Sequence, residues 1–193
     1  MADQEAMVRI LVQAMRDNPI HVQAFGADAQ ARERHLGLMF KAVSSRQLGR
    51  GVVLGIFSSS DLVGVAGMMP PGACPSTLAS KVAAISNLVT GSGLRNSRRV
   101  LEWLDAWKAH DPDTAHWHLG PLAIAPRHQG HGLGSALLDA CCERIDEDGG
   151  AAYLENDRRE NLDFFRRAGF EVTTEAEVLG LVNWFMWRPP SGE

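Results

Sequence analysis

The 193-residue sequence is short of several things. It has three cysteines, one tyrosine and three lysines (Lys41, Lys81 and Lys108), so arginine carries most of the positive charge. Cys74, Cys141 and Cys142 are odd in number and lack metal-ligand spacing, so neither a disulfide framework nor a bound metal is expected. The adjacent pair Cys141 and Cys142 points to different sides of a helix and reads as small buried residues. Positive charge is not in excess either: the net charge is −4 and the pI about 6.0, whereas a nucleic-acid binder shows a basic face. No apolar run is long enough to cross a bilayer, and Asp3 and Glu5 at the start of Met1–Leu11 are wrong for a signal peptide. Repeats, low-complexity tracts and interdomain linkers are all missing. The expectation is a reduced, cytoplasmic protein without nucleic-acid or membrane partners, folded as one domain over residues 1–193.

What is present centres on His116 to Leu138. Leu119 to Ala125 is a nearly continuous apolar run, as in a strand covered on both faces. Pro126 ends it, having no N–H for a ladder. Gly130, Gly132 and Gly134 then alternate with His131 and Leu133 before a helix predicted from about Ser135 to Asp146. Glycines let the backbone approach a ligand closely, and the first amides of a helix attract anions, phosphate above all. A Walker loop is excluded, because no Gly-Lys-Ser/Thr follows. A dinucleotide turn stays open, since Glu155 lies near the offset at which such folds carry an acidic residue.

Around this stretch the pattern predicts helices over residues 3–17 and 29–48, joined by a link over 18–28. A hairpin follows, 51–57 with 62–68, then helices over 76–90 and 95–109 on either side of Gly91-Ser92-Gly93. Trp103 and Trp107, four apart, read as a core pair. After the glycine turn come a strand at 151–155, a helix at 158–168 capped by Gly169, and two strands, 170–174 and 182–187, joined by a long turn. Alternating strands and helices around one mixed sheet make this an α/β (α+β mixed) chain.

Gln129-x-x-Gly132-x-Gly134, led in by Ala123-Ile124-Ala125-Pro126, resembles the acyl-CoA signature of the GNAT superfamily of N-acyltransferases. Tyr153-Leu-Glu-Asn156, Asn161-Leu-Asp-Phe-Phe165 and Ala168-Gly169-Phe170 extend the likeness, and the second half is similar to the puromycin N-acetyltransferase-like subgroup. The resemblance covers residues 112–188 well and the first half only in layout. It implies a mixed, mostly antiparallel sheet flanked by helices, with the usual first strand expected to be missing or contributed otherwise, since only Met1 and Ala2 precede the first helix. It also implies acetyl-CoA as cofactor, with its pyrophosphate on the amides of Gly130, His131, Gly132, Leu133, Gly134 and Ser135. The pantetheine arm would run along Leu122, Ala123 and Ile124, beside Gln129, Asn161 and Phe165. A backbone N–H near Ile124 would face the thioester oxygen.

Acyl transfer to an amine also needs a base, because an amine like that of lysine has a pKa of about 10.4. His116 and His118 alternate onto one face of the central strand, and Glu155 lies on its neighbour. Glu155 has a plainer alternative, an ion pair with Arg158 or Arg127. The resemblance places Phe165 where the family usually carries a tyrosine that protonates the leaving thiolate. Phenylalanine cannot donate, and Tyr153, from a different element, is a poor replacement. His21 and Phe25 are weak candidates for acceptor contacts, since loops such as 18–28 and 175–183 often line that site. The expected function is an N-acetyltransferase acting on a primary amine of a small molecule or peptide. A non-catalytic acyl-CoA sensor and a nucleotide-binding protein are the alternatives, and an incomplete sheet edge would invite a homodimer.

Overall fold

The structure is a computed structural model that describes residues 2–73 and 78–192, with side chains described for 4–73 and 93–192. Cys74 and the predicted helix start at Ser76 lie outside the described residues. Among the described residues six strands form one sheet: β1 (Val52–Ser58), β2 (Asp61–Met69), β3 (Trp117–Ile124), β4 (Ala152–Asn156), β5 (Glu171–Val178) and β6 (Leu181–Arg188). Their order is β1-β2-β3-β4-β6-β5. All pairs are antiparallel except β3 with β4. Among the described residues no strand precedes α1 (Ala2–Met15), so β1 is an edge.

Side chains alternate across a strand, and here the alternation divides the core in two. Val65, Ala123, Tyr153 and Phe185 face α1, α2 (Pro19–Phe25), α3 (Ala29–Arg50) and α4 (Leu78–Ala109). Ala66, Trp117, Leu119, Leu154 and Met186 face the opposite way, onto Leu137, Leu138, Cys141 and Ile145 of α5 (Leu133–Glu147) and Leu162 of α6 (Leu162–Arg167). Burial pushes the Cys141 thiol up to about 12 and the Cys142 thiol to about 11. Neither is a reactive thiolate. Trp103 and Trp107 do form a core pair, edge to face at 5.0 Å.

Several boundaries differ from the sequence expectation. Residues 18–28 are not a plain link: Pro19 opens α2, where its missing N–H costs nothing, and Asp157 accepts from the Ile20 N–H at 2.9 Å. Helix α5 begins at Leu133, two residues before Ser135. The long turn predicted before the last strand is a two-residue turn, Leu179-Gly180, with φ of 52° and 80°. Positive φ at both positions is the hairpin turn that matches strand twist, usually signalled by Asn-Gly rather than Leu-Gly. Residues 175–178 are therefore strand, not an acceptor loop. Helix α4 breaks at Gly93 (φ 75°), where the sequence placed its divide.

One irregularity shapes the central strand. Met68 pairs with Leu119 and Ala66 with Leu122, so Gly120 and Pro121 together oppose Gly67 in a bulge. Gln47, buried on α3, donates from Nε2 to the Gly120 carbonyl at 2.7 Å and holds that bulge. The amide lies directly over Gly67, where a Cβ would collide with its Oε1.

Candidate active site

β3 and β4 pair only at Trp117 with Ala152 and at His118 with Tyr153. Beyond those residues β4 continues against β6 and β3 against β2, so the two central strands part. The Ala125 N–H donates to Val63 O at 2.8 Å, toward β2. Backbone direction alternates along a strand, so the N–H and C=O of Ile124 and Leu122 face the gap, and those of Ala123 face β2. Of the three residues predicted to line an extended ligand, Leu122 and Ile124 offer backbone groups and Ala123 does not. Gln129 spans the turn and donates from Nε2 to the Ile124 carbonyl at 2.9 Å, anchoring the turn on the strand.

The glycine turn closes one end of the gap. Gly130 and Gly132 have φ of 77° and 78°, which only glycine adopts freely, and neither is crowded. Gly134 is helical, and a Cβ there would make ordinary contact with Phe164 at 3.6 Å. Gly132 is the N-cap, and Ala136 N–H to Gly132 O is the first helical bond. The amides of Leu133, Gly134 and Ser135 therefore precede the helical ladder. No side chain caps them and no carboxylate lies in the first turn. His131 is exposed beside them, with Nδ1 donating to Gln129 O at 2.7 Å.

On the strand faces beside the gap, His118 Nε2 lies 2.8 Å from Glu155 Oε2. The Glu155 side chain is only 6% exposed and that of His118 25%. Neither arginine expected as a partner is used: Arg158 bonds Glu160, and Arg127 reaches His128. An ionised carboxylate only accepts, so Nε2 carries the hydrogen and Nδ1 is the basic nitrogen of the ring. Tyr153 stands edge-on to both His116 and His118, at 5.3 and 5.5 Å. Its hydroxyl donates to His110 O at 3.2 Å. Burial, helped by the nearby charges of Glu155 and Asp111, drives the phenol pKa far above its ordinary value. Such a phenol fits a structural role.

His116, beside His118, donates from Nδ1 to Thr114 O at 2.7 Å, and its Nε2 lies 3.2 Å from Asp111 Oδ1. The structure thus brings His116, His118 and Glu155 together and adds Asp111, which the sequence did not single out. Asn161 and Phe165 are set apart from that cluster. The Asn161 amide reaches Asn156 Oδ1 at 3.5 Å, and Phe165 packs between Phe164 and Phe170 on the α5 side of the sheet. Asn156, legible in the sequence only as part of a motif, organises the turn after β4 by bonding both N–H and C=O of Arg158. His21 and Phe25 are corrected: both are core residues of α2, with His21 edge-on to Phe40 and Trp103.

A parallel strand pair that opens beside a glycine turn and a bare helix N-terminus is the layout of an acyl-CoA-dependent transferase. The chain belongs to the acetyltransferase (GNAT) family, which it matches over residues 19–170. Its fold is similar to that of a histone acetyltransferase HPA2 and related acetyltransferase from Corynebacterium glutamicum (TM-score 0.75, 23% identity, covering 100% of this chain and 94% of that one). It is also similar to a PaiA N-acetyltransferase from Thermoplasma acidophilum solved in complex with coenzyme A (TM-score 0.58, 12% identity, 97% and 93% covered). A GNAT family acetyltransferase from Brucella melitensis, solved with acetyl-CoA, shares the fold as well (TM-score 0.52, 14% identity, 100% and 84% covered).

Proposed function

We propose that this protein, acting through one domain, moves an acetyl group from acetyl-CoA to a primary amine of a small molecule or peptide by direct attack in a ternary complex. The observation that carries the reading is the juxtaposition at the parted strands: outward-facing backbone at Leu122 and Ile124, bare amides on α5, and a buried His118–Glu155 pair. The α5 amides and the turn from Gly130 to Ser135 suit a pyrophosphate, because no acidic side chain competes there. Acetyl-CoA supplies an activated acyl group whose thiol, with a pKa of about 8.5, leaves as its anion without a strong acid. That leaving group makes Phe165 tolerable.

His118 takes the proton from the amine, and Glu155 holds the ring's tautomer and stabilises the imidazolium that forms. The gap-facing N–H of Ile124 is the donor suited to an oxyanion. Phe165 favours one other reading, an acyl-CoA-binding protein without chemistry. A thiol-release assay with acetyl-CoA and a panel of polyamines, amino acids and short peptides separates the two. The expected result is amine-dependent release that Glu155→Gln slows by about 10²-fold or more. Release no faster than hydrolysis with every amine would leave the binding-protein reading standing.

A further inference from the structure

Asp111, His116 and His118 present one ligand-type atom each, all within 4.8 Å of one another. His116 is 8% exposed. Its Nδ1–H is committed to Thr114 O, so in the neutral ring Nε2 presents a lone pair to Asp111 Oδ1, 3.2 Å away. The two atoms are not aligned for a hydrogen bond, and both are buried without any other partner. A lone pair facing a carboxylate is repulsive, and two buried orphan acceptors are costly. A cation between them removes both penalties. We propose that Asp111, His116 and His118 form a binding site for a divalent transition metal of the zinc type, a site the cysteine spacing gave no reason to expect.

The geometry suits such an ion. Ligands about 2.1 Å from a tetrahedral metal stand about 3.4 Å apart, close to the observed His116–Asp111 separation. Imidazole nitrogen with one carboxylate oxygen selects zinc, cobalt or nickel over magnesium or calcium. Behind the two rings stand oxygen acceptors, Thr114 O on His116 and Glu155 on His118, which is how metal-binding histidines are usually oriented. The Asp111 side chain is 32% exposed and gives the ion a way in from solvent. Three protein ligands leave a fourth position for water. Occupancy would engage His118 and so compete with its acceptance of a proton. That consequence rests on the function proposed above, whereas metal binding does not.

The test reads binding alone. Chelator-stripped full-length protein, free of coenzyme A, is titrated with Co²⁺ and followed by visible absorption and calorimetry. The expected result is one equivalent bound with the intense bands of a low-coordinate Co²⁺ centre, displaced by Zn²⁺. Asp111→Asn, a half-exposed and therefore mild change, and His116→Gln should each weaken binding at least tenfold, while His128→Ala on the exposed turn leaves it unchanged. Circular dichroism verifies that each variant is folded. No bound Co²⁺ at stoichiometric concentration would overturn the site, as would binding that persists in Asp111→Asn.

Discussion

A carboxylate on the inner face of a sheet is costly unless its charge is met, and Glu155 is met by His118 rather than by an arginine. The residue types were legible in the sequence, because a strand's two-residue period puts His116 and His118 on one face and marks Glu155 as an anomaly in an apolar segment. Their pairing was not legible. It depends on the register of β3 against β4, which rests on two residue pairs and leaves no local signature. Tyr153 shows the converse. As the only tyrosine it invites a role as acid, yet its hydroxyl is spent on His110 O in the core. Tyr153→Phe should cost about 0.5–1.5 kcal/mol of stability by denaturant unfolding and leave kcat within the same order of magnitude. A collapse of kcat in a folded variant would make Tyr153 the proton donor.

At the scale of elements, the bulge in β3 is set from outside the sheet. Gln47 reaches from α3 to the Gly120 carbonyl across Gly67, a contact between residues 73 apart that no local pattern announces. Gly67→Ala should cost about 1–3 kcal/mol, since the amide beneath the new methyl is buried and bonded. Chemical unfolding of Gly67→Ala beside Gln47→Ala tests this. Near-equal, non-additive losses are expected, and a neutral Gly67→Ala would contradict the packing. The longer helices and most strands were legible from their apolar periods, whereas the seven-residue α2 and six-residue α6 are too short to show one. The β5–β6 turn was not, since Leu179 adopts a positive φ that its side chain does not advertise. The glycine turn was legible for a mixed reason: Gly130 and Gly132 answer to backbone hand, while Gly134 sits in ordinary helix.

For the molecule as a whole, a buried neutral imidazole and a paired carboxylate predict loss of stability on acidification. Burial in α2 holds the His21 pKa below its ordinary value. The folded protein then keeps His21 neutral while the unfolded chain binds a proton below about pH 6.5. The unfolded state binds more protons there, so stability falls as pH drops through that window, by at most about 1.4 kcal/mol per pH unit. Asp146 adds a second window: the bidentate bonds from Arg188 at 2.6 and 2.7 Å hold its carboxyl below the usual range. That contribution is present above about pH 3.9 and disappears as pH falls through the folded value. Thermal melts from pH 7 to 5 should show a falling midpoint that flattens in His21→Gln. A slope unchanged in the variant would place the acid sensitivity elsewhere.

Among the described residues no helix is long and apolar enough to cross a membrane. On the proposed function, the α5 end of the parted strands holds the acyl donor. Calorimetric titration of acetyl-CoA into the protein and into Ser135→Asp tests it most directly. A carboxylate in the first turn of α5 favours the helix by about 0.3–1 kcal/mol, so the variant stays folded, yet it repels a pyrophosphate. One-to-one binding to the parent is expected, with at least tenfold weaker binding to the variant and an equal or higher melting temperature. Absence of binding to the parent, or equal affinity in both, would contradict it.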